Sequence, residues 1–446
     1  MTSPARTPTV IGPIVGAQPP WNAPRADVSA LGYVVEEYQI EGVADAYRLR
    51  PGTSPAIEGQ WDVDVFDDAE YRTRILVVRP TDAARFNGTV VVNWQNVSAG
   101  VEGGAPSDEI YQGAAWVGVS AQEVGLYGFP MGMHRGSGVG RARPLLDHDP
   151  ERYSTLFHPG DQGSFDIFTQ AGHAVAPDRS REVDPLGGLD VQRVVAIGAS
   201  QSGMRLAAYL NAVHPLARVF DGFVLSVWEG RAPRPEEGLV AQGVRTSLRT
   251  DHATPVIVVN SEFEATHLSA IPIADTDSLR VWEVTGTAHA SGRGGDDRPD
   301  SKGRVANRLS WIPVHEAALR AMHRWLADGI AAPTHPRIQF DDASPREIVR
   351  DTHGNARGGI RLPEIAAPIA EYRGMAFGTG RAPLFGSARP FSDDEVRSLY
   401  RDRAAYVAQW RDAVDALVES GAVRPDDASA MKARGDTVPL PFGSTP

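Results

Sequence analysis

The stretch Val194-Val-Ala-Ile-Gly198-Ala-Ser200-Gln-Ser202-Gly203 decides how this chain is read. Its apolar part, within residues 191–200, has the continuous pattern of a strand buried on both faces. A helical pattern follows from Met204 to Val213. A serine therefore stands in a tight turn between a buried strand and a helix. Such a turn brings the two backbones close, so the residues two before and two after the serine must be small. Gly198 and Ser202 meet that need around Ser200, although glycine is usual where Ser202 stands. Centring the turn on Ser202 puts Met204 at a flanking position, and Met204 is too large. A plain strand-to-helix turn is the bland alternative. A phosphate-cradling loop is weaker still, because the Gly-Lys-Ser/Thr ending and the GxGxxG spacing are missing. Ser200 is the candidate nucleophile.

Outward from this turn, β-branched runs recur between turn residues. Tyr33–Leu49 suggests paired strands, and residues 72–80, 88–94 and 114–121 read as three more. Phe220–Trp228, Thr254–Asn260 and Leu279–Thr285 continue the series. Helical patterns lie between them at 161–174 and after them at 314–326. The alternation predicts an α/β fold, a mostly parallel central sheet with helices on both faces. A Pro- and Ala-rich extended arm is expected over residues 1–30, a catalytic domain over 31–333, and a loop-rich and helical accessory region packed on it over 334–446. In that last part Ser392 and Glu395 form a capping-box pattern, and Tyr406, Trp410, Val414, Leu417 and Val418 make a helical stripe.

Composition narrows the chemistry. The 446 residues include no cysteine, which excludes a thiol nucleophile, disulfides and thiolate-bound metal. Apolar content of 42% against 22% charge supports a large core rather than disorder. A net charge of −12 argues against nucleic acid and against an anionic membrane surface. Only Lys302 and Lys432 are lysines, the rest of the basic residues being arginine, a compositional bias rather than a site. No apolar run is long enough for a signal-peptide core or a membrane span, so the expected location is the cytoplasm.

A serine hydroxyl needs a base and an oriented imidazole. In this architecture the acid follows the nucleophile in sequence and the histidine comes last. The strand 254–260 ends in Ser261-Glu262-Phe263-Glu264, just where the acid belongs. The spacing favours Glu264 over Glu262. The next strand runs into Gly286-Thr-Ala-His289, and among twelve histidines His289 alone combines chain order with a loop after a strand. His289 would then take the serine proton and return it to the leaving group, with the acid fixing its tautomer. Two backbone N–H groups are expected to hold the oxyanion, Gln201 after the nucleophile and Asn96 in the early loop, with Gln95 close behind. No metal or other cofactor is called for by this chemistry.

These motifs together resemble a bacterial family of roughly 450-residue α/β-hydrolase-fold proteins. The matching pieces are residues 88–100, 116–125, 198–203, 261–265, 280–289 and 354–374. The resemblance implies a serine hydrolase fold, an esterase activity, and motif positions for Ser200 and His289. Members often carry Glu-Trp at the end of the early strand, where this chain has Asn93-Trp94.

The reading is a serine carboxylesterase that takes a small-molecule ester through an acyl-enzyme. An acyltransferase with the same triad is one rival, and a non-catalytic ligand-binding protein of the same fold is the other. Gln122, Tyr127 and Trp228 are expected to line the substrate pocket, together with Phe129, Met131 and Met133 of a long Gly-rich loop. The Gly294–Asp300 stretch fits no calcium-loop template. Asn87-Gly-Thr and Asn96-Val-Ser have the form of glycosylation triplets but serve no purpose in a cytoplasmic protein.

Overall fold

The computed structural model describes residues 6–24, 27–130, 143–180, 182–238, 243–292, 299–300, 303–375 and 383–442. Met131, Met133 and most of the Gly294–Asp300 stretch lie outside them. The chain divides into two compact units, Met1–Val256 and Ile257–Pro446.

In the first unit, strands β1 (Thr9–Ile11), β2 (Tyr33–Leu49), β3 (Val63–Pro80), β4 (Thr89–Trp94), β5 (Ala115–Val119), β6 (Arg193–Ala199) and β7 (Gly222–Ser226) lie in the order β1-β2-β3-β5-β4-β6-β7. The pairs β1–β2, β2–β3 and β3–β5 are antiparallel. From β5 through β4 and β6 to β7 every pairing is parallel. The residues of β4 and β5 are all buried, as continuous apolar strands in a parallel sheet should be. Tyr33–Leu49 is one strand of 17 residues rather than a pair within itself. Its partner β3 is as long, and the ladder runs from Tyr33↔Pro80 to Leu49↔Val63. The polar half of β3, around Asp67 and Asp68, reads as loop because its side chains face solvent. It is strand because β2 completes its hydrogen bonds. Two short strands, β8 (Arg231–Ala232) and β9 (Val244–Arg245), pair antiparallel beyond β7.

An aromatic cluster fixes the layer against β4, β6 and β7. Trp94 meets Phe168 at 4.7 Å between ring centroids and Phe165 at 5.6 Å. Phe168 also meets Tyr209 and Phe220. Each such ring pair adds about 0.5–1.5 kcal/mol beyond its burial. Phe165 and Phe168 come from the helix Ser164–Ala174, and Tyr209 from a π-turn, 209–213, that continues the helix Gln201–Ala208. That helix begins at Gln201, three residues earlier than the apolar pattern suggests, because its first turn is polar.

The second unit holds β10 (Val256–Ser261), which opens at the boundary, and its hydrogen-bonded neighbour β11 (Leu279–Val284). The helix Ile312–Asp328 buries Val314, Ala317, Ala318, Leu319 and Met322. An antiparallel pair, β12 (Ala370–Arg373) and β13 (Ser387–Pro390), follows. The Ser392 capping box opens the helix Asp393–Leu399. In the helix Arg403–Glu419 the stripe residues Tyr406, Trp410, Val414 and Leu417 are buried. Among the described residues, no helix is long and apolar enough to cross a membrane.

Candidate active site

Ser200 belongs to the first unit, and Glu262, Glu264 and His289 to the second. Ser200 stands between β6 and its helix at φ 56°, ψ −118°, a conformation side chains avoid. Three contacts hold it there. Its amide donates to the Ser226 carbonyl of β7 at 2.9 Å. A Cβ on Gly198 would lie 2.7 Å from the Ser202 carbonyl oxygen, so only glycine lets the helix come this close. Ser202 is more than a tolerated glycine substitute. Its hydroxyl oxygen lies 3.0 Å from both the amide and the carbonyl of Ala199, which closes the turn from inside.

As the first residue of its helix, Gln201 has an N–H with no acceptor within the helix. The expectation for Asn96 is corrected. Its amide donates to the Gly103 carbonyl at 2.8 Å, and Gly103 returns the bond at 2.7 Å. This antiparallel bridge uses up the N–H intended for the oxyanion. The Gln95 amide is likewise spent, on Val119. The Asn96 side chain instead ties the early loop to the turn, donating from Nδ2 to the Ala199 carbonyl at 2.8 Å.

Gln122 is not a pocket residue either. It is buried, and both ends of its side-chain amide have partners. Trp94 Nε1 only donates and the Asp161 carboxylate only accepts, which fixes the orientation of the Gln122 amide between them. Gln122 Oε1 accepts from Trp94 Nε1 at 3.2 Å, and Nε2 donates to Asp161 Oδ2 at 2.8 Å. Gln201 Nε2 then donates to Gln122 Oε1 at 2.8 Å, while Gln201 Oε1 accepts from the Val97 amide at 3.3 Å. One turn on, Arg205 reaches the same Asp161 oxygen at 2.9 Å. The helix behind Ser200 is thus bolted to the loops after β4 and β5. Sequence reading missed this strut, since residues 97, 122, 161 and 201 share no spacing signature.

Trp228 has no exposed surface, and its Nε1 donates to the Arg231 carbonyl at 2.7 Å, so it too offers nothing to a substrate. Tyr127 keeps an exposed ring, with its hydroxyl accepting from the His158 amide at 2.9 Å.

In the second unit, Ser261 caps the helix Glu262–Leu268. Glu264 Oε2 accepts from the Ser261 amide at 3.0 Å and its hydroxyl at 2.5 Å. Glu264 Oε1 lies 2.6 Å from His289 Nδ1. Glu264 is fully buried and His289 is not. A carboxylate only accepts, so Nδ1 carries the proton, and in the neutral ring Nε2 is left as the acceptor. Glu262 goes elsewhere. Its Oε1 accepts from Arg350 at 2.8 Å and the Gly374 amide at 3.1 Å, and its Oε2 from the Gly286 amide at 3.0 Å. Gly286 sits at φ 74° in the turn before His289, where a Cβ would strike Ile365 at 2.6 Å. The two carboxylates thus divide the work, one holding the imidazole and the other the loop that carries it.

A family model described as an alpha/beta hydrolase domain matches residues 10–433. The chain belongs to that family. Its fold is therefore that of the α/β hydrolases, with the Ser200 turn at the C-terminal end of a parallel strand, the place of the nucleophile in this fold. No curated protein matches the chain. Among solved structures, a prolyl endopeptidase overlaps 57% of this chain and 35% of its own, at 14% identity and a TM-score of 0.28. Oligopeptidase B from Trypanosoma brucei overlaps 56% of this chain and 33% of its own, at 11% identity and a TM-score of 0.26. The esterase Est22 overlaps 56% of this chain and 72% of its own, at 11% identity and a TM-score of 0.27. The chain spans only about a third of the length of the two peptidases. Overlaps this slight do not speak to activity.

Proposed function

We propose that this α/β hydrolase is a serine-dependent carboxylic ester hydrolase, with Ser200 as nucleophile, His289 as base and Glu264 as the acid behind it. The observation that carries the reading is the backbone of Ser200. Holding a serine at φ 56° costs on the order of 1–3 kcal/mol. Glycine would relieve that strain, yet a serine side chain stands there. The Glu264–His289 pair supports the same reading, as does the order nucleophile, acid, histidine along the chain.

In the proposed reaction, His289 Nε2 takes the hydroxyl proton as Ser200 Oγ attacks the ester carbonyl carbon. The new oxyanion is met by the Gln201 N–H. The intermediate collapses, the C–O bond breaks, and the alcohol leaves with the proton from His289. Water repeats the sequence on the acyl-enzyme, releasing the acid and restoring Ser200. Glu264 keeps the proton on Nδ1 throughout and stabilises the imidazolium without itself being protonated.

The test is a fluorophosphonate probe together with a panel of p-nitrophenyl esters. Covalent label on Ser200 and ester turnover are expected. No label on the folded chain, or label that survives Ser200→Ala, sinks the proposal. Turnover of peptide anilides but not esters reassigns the enzyme to peptide hydrolysis, and preferential transfer to added alcohols makes it an acyltransferase.

A further inference from the structure

The backbone of His289 is held as closely as its imidazole. Its carbonyl accepts from the Trp311 indole Nε1 at 3.2 Å and from the Ser291 amide at 3.0 Å. Trp311 is buried and stands directly before the helix Ile312–Asp328. That helix buries Val314, Ala317, Ala318, Leu319 and Met322, so its start is a firm base for a side chain. The Trp311 ring also packs edge-on against His315, one turn into the helix, at 6.1 Å between centroids.

The loop after His289 is laced to the same segment. The Trp311 amide donates to Ser291 Oγ at 3.2 Å, the hydroxyls of Ser291 and Ser310 bond at 2.7 Å, and the Gly292 amide donates to the Leu309 carbonyl at 3.1 Å. Among these bonds, the indole bond is the one that reaches His289 itself. The imidazole has its own neighbours. Phe263 meets it edge-on at 5.8 Å, and Phe263 is backed by His267 at 4.8 Å. His267 donates from Nδ1 to the Phe263 carbonyl at 3.0 Å. Glu264 holds the imidazole Nδ1. His289 is thus gripped at its carbonyl, at its ring and at one ring nitrogen.

We propose that Trp311 is a positioning residue for His289. Its indole N–H fixes the peptide plane that follows His289, which limits how far the Cα–Cβ bond can swing. Glu264 turns the imidazole about that bond, and the two together aim Nε2 in one direction. Misplacing a catalytic group by about 1 Å can cost about 10²-fold in rate, so a bond that removes part of that freedom is worth about tenfold. Trp311 acts through His289 and takes no part in the proton transfer. Its effect on rate rests on His289 being the base of the proposed esterase; the grip on the imidazole does not.

Trp311→Phe keeps a ring and removes the indole N–H. It should lower kcat on a p-nitrophenyl ester about tenfold and leave KM within about threefold. A second readout is the proton between His289 Nδ1 and Glu264, followed by NMR. Its exchange with water should quicken about tenfold in the variant. Leu319→Ala, further along the same helix, is the control for general weakening: it should lower the melting temperature and leave kcat intact. If Trp311→Phe does not fold, replacing Trp311 by benzothienylalanine puts sulfur where the N–H was, within the same outline, and the same results are expected. A kcat that holds, or that falls no further than in Leu319→Ala, overturns the role, and so does an unchanged exchange rate. If the wild-type chain turns over no ester and takes no label on Ser200, the esterase reading falls by itself. The exchange rate then decides the grip: quickened exchange keeps it, and unchanged exchange overturns it.

Discussion

The Ser200 turn and the Glu264 helix are held in place by opposite means. At Ser200 the backbone is under strain and is held chiefly by backbone groups, the Ser226 carbonyl and the close pass at Gly198, with the Ser202 hydroxyl closing the turn. At Glu264 the backbone is an ordinary capped helix, and side chains do the positioning. Both oxygens of Glu264 have partners, Ser261 on one and His289 on the other. A strained backbone fixes where a side chain starts, whereas a saturated carboxylate fixes where a side chain ends. The nucleophile role proposed for Ser200 needs a group that moves between bond partners, which the first arrangement suits. The acid role proposed for Glu264 needs one that stays put, which the second suits.

The largest effect expected is at the strained turn. Ser200→Ala should lower ester turnover by about 10⁴-fold or more, read as kcat on a p-nitrophenyl ester. Ser200→Gly should be equally inactive but more stable than wild type, by about 1 kcal/mol, because glycine takes φ 56° without penalty. Denaturant melts of the two variants separate strain from chemistry. If Ser200→Gly is no more stable than Ser200→Ala, the turn is not strained and the contrast between the two regions is lost.

The second test lies within the capped helix, where two carboxylates stand two residues apart. Glu264→Gln should cost about 10³–10⁴ in kcat, because an amide can donate to Nδ1 and favour the wrong tautomer. Glu262→Gln should cost far less in rate. Its effect should fall on stability, by about 2 kcal/mol, since Arg350 would lose its charge partner and two amides a strong acceptor. Arg350 is partly exposed, which keeps the figure below that of a fully buried pair. A greater rate loss from Glu262→Gln than from Glu264→Gln would reverse the assignment.

How much of this was legible in the sequence follows from the range of the forces involved. The Ser200 turn could be read because its requirements are local: small residues at fixed offsets between a strand and a helix. Glu264 and His289 could be singled out from strand ends and chain order, and the structure brings the two side chains together at 2.6 Å. Spacing favours Glu264 over Glu262, but the place of Glu262 could not be read, since its partners Arg350 and Gly374 lie about a hundred residues away. Asn96 failed for a subtler reason. Whether a backbone N–H is free depends on what the chain does seven residues later, and the bridge to Gly103 has no marker in the sequence. Gln122 and Trp228 failed because a polar or amphipathic residue near a sheet edge reads the same whether it faces a pocket or a buried partner. The long antiparallel pair β2–β3 was half legible, its apolar portions clear and its solvated portion indistinguishable from loop.

The smallest effect expected is at the strut that stiffens the strained turn with side chains, and it asks how far the two means of support mix. Gln201 joins the Val97 amide to Gln122, and Gln122 is fixed by Trp94 and Asp161. Gln201→Met keeps the length of the side chain and removes both bonds. It should lower kcat about tenfold with KM nearly unchanged, and cost about 1–2 kcal/mol in stability. Gln201→Glu should do no better than Met, because its carboxylate meets the Gln122 oxygen acceptor to acceptor, even though it can still take the Val97 amide. A strut that only stabilised the fold would lower the melting temperature in both variants and leave kcat alone. Should kcat hold while stability falls, the turn is positioned by its backbone without help, and the contrast with the Glu264 helix becomes complete.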